Sequence, residues 1–221
     1  MDAEKMRGKK FIASYSGGKD SLLATYRAMQ SGLIPLELVT AYNIDAGRSW
    51  FHGLNENLLQ RVSASLAIPV ALMKTSPEKY EENFEKMLVR AKENGAEACV
   101  FGDIDIEGHL EWGASRCENA GLVPYFPLWK ENRKKIVREF IDAGFLSVIT
   151  IVDIRRMTRD FLGQVLDRDV AGAIEAGGAD ICGENGEYHT FAFDGPIFSR
   201  SVSYEIKGIV EQGHYAILHI E

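Results

Sequence analysis

The sequence predicts an α/β protein, a parallel twisted sheet with helices on both faces, followed by a small C-terminal α+β portion. Three features lead there. Short apolar, β-rich runs alternate with stretches of helical spacing. Glycines stand where those helices should end. The alternation stops after about residue 152, where a tail rich in Gly, aromatics and acids begins. Strands apolar throughout are buried on both sides, the condition of a helix-covered parallel sheet.

The elements follow in order. KFIASY at 10–15 is a strand, and SGGKDS follows it directly. Leu22, Leu23, Tyr26 and Met29 then fall on one face of a helix that Gly32 closes. A second strand at 36–42 leads to a helix at 55–66 striped by Leu58, Leu59, Val62 and Leu66. After a strand at 69–73, Pro77 opens a long helix that ends at Gly95. Strands at 98–101 and in VPYF, helices at 107–120 and 133–143, and the strand LSVITIV at 146–152 complete the run. A helix at 167–176, the stretch GADICGENGEYHTFAFDGPIF and two strands joined near Gln212–Gly213 form the tail. The expected division is 1–152 and 153–221.

At 221 residues with 46% hydrophobic and 26% charged side chains, the composition is that of a soluble globular chain. No apolar run reaches the roughly 20 residues of a membrane span, and MDAEKMRGKK has no apolar signal region. A net charge of −7 argues against nucleic acid as a partner. Cys99, Cys117 and Cys182 are odd in number, far apart and without a CxxC pair, which fits a reducing cytoplasm. Oligomeric state, including a homo-oligomer, is left open.

The stretch Ser16–Ser21 lies between a buried strand and a helix start. Gly17 and Gly18 let the backbone turn and approach a ligand closely. Main-chain N–H groups at the positive end of the helix dipole, the hydroxyls of Ser16 and Ser21, and the Lys19 charge suit a polyphosphate. Asp20 either caps the helix or holds magnesium. Neither GxxxxGK[ST] nor GxGxxG is present, so this is not a Walker A or dinucleotide loop.

SGGKDS resembles the PP-loop of the ATP pyrophosphatases, a superfamily of amide synthetases and tRNA-modifying enzymes. That resemblance implies a HUP, adenine-nucleotide α-hydrolase-like fold and ATP cleaved between its α and β phosphates. The tail narrows it. GENGEYHTFAFDGPIF resembles the signature of the diphthine–ammonia ligase family through Glu184, Gly186, Glu187, Tyr188, Thr190, Asp194, Pro196 and Phe198. Asn185 and His189 fall at variable or departing positions. YFPLWKENR and FLGQVLD also look familial, so the likeness spans about residues 10–200. FGDIDIEGHLEW departs, being acidic where the family usually has a Gly-Ala-Ile-like turn.

The resemblance implies an ATP-dependent ligase that adenylates a carboxylate and amidates it with ammonia. Its acceptor is a protein, as in the ligases acting on elongation factor 2, or a small carboxylate. ATP is expected against Ser16, Gly17, Gly18, Lys19, Asp20 and Ser21, with adenine near Ser14, Tyr42 and Gly102 and magnesium on Asp20. Lys19, Glu184, Glu187 and Thr190 are the candidate catalytic groups, with the paired glutamates binding ammonium or taking its proton. Asp2 stands where glutamine-dependent relatives carry a catalytic Cys, which favours free ammonia. The alternatives are a tRNA-modifying PP-loop enzyme and a non-catalytic ATP-binding protein. Asp103, Asp105, Glu107 and His109 read as a metal cluster or a solvated turn. His52, His214 and His219 read as surface or packing residues, and Cys182 as no more than a weak candidate nucleophile.

Overall fold

In a computed structural model that describes residues 6–221, strand β1 (Lys10–Ser14) buries Phe11, Ile12 and Ala13. Asp2 lies outside the described residues. Helix α1 (Lys19–Gln30) follows, then β2 (Ile34–Asn43) and the two-residue β3 (Arg48–Ser49). Next come α2 (Glu56–Leu66), β4 (Val70–Thr75), α3 (Tyr80–Glu93), β5 (Ala98–Val100), α4 (Glu107–Ala120) and β6 (Val123–Tyr125). The chain continues through α5 (Arg133–Asp142), β7 (Leu146–Asp153), α6 (Arg168–Ala176), β8 (Tyr188–Asp194), β9 (Ile206–Gln212) and β10 (Tyr215–Ile220).

Two compact units result. The first comprises the chain up to Ser16 with Asp20–Trp50 and Ile68–Lys130. In it β2, β1, β5 and β6 lie side by side in parallel, and β4 pairs parallel with β2. The connection β1–α1–β2 runs one way across the sheet and β4–α3–β5 runs back. Because such crossovers are right-handed, the two helices cover opposite faces. On the α3 and α4 side, Ile12, Val39 and Met73 pack with Phe84, Leu88, Ala91 and Cys117 in one buried cluster. Burial of such side chains contributes roughly 1.5–3 kcal/mol each. The order reverses at β1, whose neighbours β2 and β5 carry the chain away in opposite directions. That switch point is where ligands bind in open parallel sheets, outside the strand carboxyl ends.

The second unit comprises Gly17–Lys19, Phe51–Ala67 and Glu131–Glu221. Its sheet has the order β8-β7-β10-β9 and every pairing is antiparallel. Here one expectation is corrected. LSVITIV was read as continuing the parallel alternation, but β7 is a central strand of this second sheet. Its residues past Leu146 are mostly apolar and mostly buried, which a central antiparallel strand covered on both faces also requires. Periodicity does not tell these two settings apart. The stretch 188–194, undivided in the sequence reading, is a strand paired along β7 with two register shifts. Helix α2 starts at Asn55, whose side chain accepts the Leu58 N–H at 2.8 Å, and α6 is capped the same way by Asp167. No helix among the described residues is long and apolar enough to cross a membrane.

Candidate functional site

The turn between β1 and α1 is set first by its serines. Ser16 N–H donates to Ser21 Oγ at 3.2 Å, and the two hydroxyls lie 3.1 Å apart. This ties the turn's entry to the first turn of α1. Gly102, just beyond β5, lies against the same helix start: a β-carbon there would stand 2.8 Å from Ser21 N and 2.9 Å from Asp20 C. Only a glycine lets the two backbones approach so closely. Ser14 is the last residue of β1, and Tyr42 donates its hydroxyl to Gly47 O at 2.5 Å.

Gly17–Lys19 belong with the second unit, where β8 fastens Gly17 and Lys19. Ala192 N–H donates to Gly17 O at 2.9 Å, and Lys19 N–H donates to Thr190 Oγ1 at 3.1 Å. His52 Nδ1 lies 2.7 Å from Thr190 O. The carbonyl only accepts, so Nδ1 carries the proton of the neutral ring and Nε2 keeps its lone pair. Gly17 has φ +91°, and a β-carbon on it would strike Leu54. A β-carbon on Gly18 would strike the His52 ring. Each glycine is thus required by what is packed on it.

Lys19 is only 5% exposed. Its ammonium donates to Cys182 O and lies 5.1 Å from the centre of the Tyr188 ring. A buried cation at the first position of a helix faces the positive end of the dipole, which disfavours it. An anion at this helix start would offset both costs. The effect on nearby titration is direct. Burial, then the Lys19 charge, lowers His189 to about 4. Burial, then His189 and Lys19, holds His52 well below the usual histidine range, against the opposing bond to Thr190 O. The two rings meet edge-on at 5.1 Å.

The turn before β8 is organised by Asp180 and Glu187. Asp180 accepts the N–H groups of Cys182 and Glu184, each at 3.1 Å, and forms an ion pair with Arg133. Tyr188 OH donates to Ile181 O at 2.6 Å. Glu187 is 4% exposed and both its oxygens are engaged. Oε2 accepts Asn185 N–H at 3.0 Å, and Oε1 accepts Asn185 Nδ2 at 3.2 Å with Arg156 at 3.5 Å. Nearby, Arg155 chelates Asp153 and lowers its carboxyl to about 2.

Comparison with known proteins now bears on this arrangement. The family model of the diphthamide synthase N-terminal domain matches residues 9–124, and that of the C-terminal domain matches residues 132–221. The chain belongs to the diphthamide synthase family. Among relatives named diphthine–ammonia ligase, the Homo sapiens protein is 32% identical over 98 residues, 42% of this chain and 37% of that protein. The Bos taurus protein is 23% identical over 230 residues, covering 91% of this chain and 85% of its own length. The match thus spans little more than a third of the human relative and most of the bovine one. A crystal structure of a predicted subunit of tRNA methyltransferase from Methanocaldococcus jannaschii superposes with a TM-score of 0.47 at 14% identity, covering 87% of this chain and all of that one.

Within this chain, the second unit brings together Gly17, Gly18, Lys19 and Thr190 and, around one tight turn, Glu184 and Glu187. The first unit brings together Ser16, Asp20, Ser21 and Gly102. Asp103 pairs with His109 at 3.0 Å, but among the described residues no group of three or more His, Cys, Asp or Glu is arranged to hold a metal. None of the three cysteines forms a disulfide. His52, expected as a surface or packing residue, does pack, but its place against Gly18 and Thr190 O was missed. No spacing links position 52 to positions 18 or 190. The one available signal was a histidine between an aromatic and a glycine, Phe51 and Gly53. Asp180 was missed too, although an aspartate ahead of a glycine-rich turn is a recognisable turn former.

Proposed function

We propose that this protein is an ATP-dependent amide ligase that activates a carboxylate and joins it to ammonia, as its resemblance to diphthine–ammonia ligases implies. The observation that carries the reading is Lys19, a buried ammonium at the start of α1, beside Gly17, held by β8, and Gly18, packed on His52. The donor set, a helix N-terminus with two hydroxyls and a cation, fits a polyphosphate. ATP would supply the activation: the carboxylate would take up AMP with release of pyrophosphate, and ammonia would then displace AMP instead of oxide, a poor leaving group.

In this reading Ser16, Gly17, Gly18, Lys19 and Ser21 hold the phosphates, and Lys19 offsets charge that develops on them. Ser14, Tyr42 and Gly102 lie towards the adenine. Asp20 would hold magnesium together with the phosphates. Thr190 orients the loop through Lys19 N–H. Glu184 and Glu187 serve the ammonia and acceptor side, Glu187 by fixing the Asn185 turn as well as by its charge. The parallel sheet serves the nucleotide side and the antiparallel sheet, which takes in β7 and so starts before the expected boundary at residue 152, serves the acceptor side. The acceptor is diphthine on elongation factor 2 or a small carboxylate, met in the cytoplasm.

The test is turnover with ATP, ammonium and diphthine-bearing elongation factor 2, analysed by chromatography. AMP, pyrophosphate and an amidated acceptor are expected. ADP and phosphate as products would overturn the reading. AMP formation that depends on tRNA would replace it with the tRNA-modifying alternative, and binding without cleavage with the non-catalytic one.

A further inference from the structure

Strand β9 is the open edge of the antiparallel sheet, and among the described residues it pairs only with β10. All seven of its residues are exposed, including Ile206 at 56%, Ile209 at 53% and Val210 at 48%. An edge strand showing apolar side chains is a template for another strand. The β9–β10 hairpin closes through Gly213 and His214, with Gln212 opposite Tyr215. The closing pair of a two-residue hairpin is hydrogen-bonded, and bonded pairs alternate along the ladder. Val210 and Gln212 therefore bond to β10, while Ile209 and Glu211 turn their main-chain groups outward.

We propose that β9 pairs antiparallel with β9 of a second copy of this chain, about a two-fold axis at Ile209. An isologous contact requires a self-complementary strand. Centred on Ile209, the register sets each Lys207 opposite the partner's Glu211, each Gly208 opposite the partner's Val210, and the two Ile209 side chains against each other. Directly opposed side chains share a face, so two opposite-charge pairs flank the isoleucine pair. The neighbouring registers of the same hydrogen-bonding parity do not match charge: centred on Gly208, Lys207 meets Ile209, and centred on Val210, Glu211 does. A lysine on an edge commonly guards it against pairing, but here the glutamate that answers it stands at the position two-fold symmetry brings opposite. The ladder steps from Gly208–His219 to Ile206–Ile220 with Lys207 the extra residue, so the regular run ends at Gly208 and the Lys207 side chain reaches the partner's Glu211 from its end. Within one chain Lys207 pairs with Glu205 at 2.7 Å and Glu211 with Arg159. These are exposed pairs of small worth and yield readily to a better-ordered partner.

Sedimentation equilibrium of the full chain tests this. The wild type should dimerise. Each single reversal, Lys207→Glu or Glu211→Lys, creates two like-charge pairs per interface and should weaken the dimer roughly 10-fold. The double reversal should restore it, and Ile209→Lys should abolish it. Thermal melts check that the variants fold. A monomeric wild type at all accessible concentrations would overturn the proposal, as would a dimer indifferent to the Ile209 and charge variants. So would β9 protection from exchange that appears only when acceptor protein is added.

Discussion

The main-chain N–H of Lys19 donates to the hydroxyl of Thr190 at 3.1 Å, so a side chain 171 positions later caps the first residue of α1. Thr190 itself is buried. Thr190→Val keeps the shape and leaves that donor without its acceptor. It should cost about 1–2 kcal/mol of stability, the usual loss for a helix cap or a buried hydrogen-bond partner, and weaken ATP binding. Thr190→Ser should keep both. A denaturant titration and calorimetric ATP binding on the two variants check this.

Gly18 is held free of a β-carbon by His52, not by its backbone conformation. Gly18→Ala should therefore destabilise the protein and impair nucleotide binding, and His52→Gly should partly relieve it. The two substitutions should be non-additive, with a coupling on the order of 1 kcal/mol, because they share one contact. Additive losses in the double-mutant cycle would show that the His52 ring does not set the residue allowed at position 18.

Lys19→Met should separate stability from function. The methionine fills the same space without a desolvated cation at the positive end of α1. ATP affinity and AMP formation should fall at least 10-fold, a loss typical of a charged phosphate contact, while a thermal melt reads separately the lost bond to Cys182 O.

Glu187→Gln should leave ATP binding intact and lower amide formation by roughly 10²–10⁴-fold, the range for loss of an acid–base group. Because both Glu187 oxygens hold Asn185, a melt on the same variant separates the two roles. A lowered Tm with a proportionate loss of all activities would assign Glu187 to the turn alone.

Acid should destabilise the second unit through its histidines. With His189 lowered to about 4, the unfolded chain takes up a proton near pH 6.5 before the folded one does. The associated stability is intact above pH 6.5, is lost as pH falls to about 4, and amounts to at most about 3 kcal/mol. His52 adds a loss of the same sign. Stability measured against pH should show this slope, and His189→Gln should flatten it.

The sequence by itself determined the local elements and the loop chemistry. Glycine stops, Asn and Asp caps and helical stripes are encoded within a few residues, and so α1, α2, α3 and the SGGKDS turn were legible without a structure. The tail signature was legible as well, because Glu184, Glu187 and Thr190 lie within one short segment. Only the tertiary structure decided which sheet β7 joins, since a central antiparallel strand and a parallel one bury the same apolar side chains. It also decided that Thr190, His52 and the Cys182 carbonyl meet Gly17–Lys19. Those contacts join residues from 34 to 171 positions apart, and no local propensity or spacing carries the free energy that brings such distant groups together. It is supplied by burial of β7 and β8 in a sheet of their own, whose register with β7 fixes which residues of β8 stand against the loop.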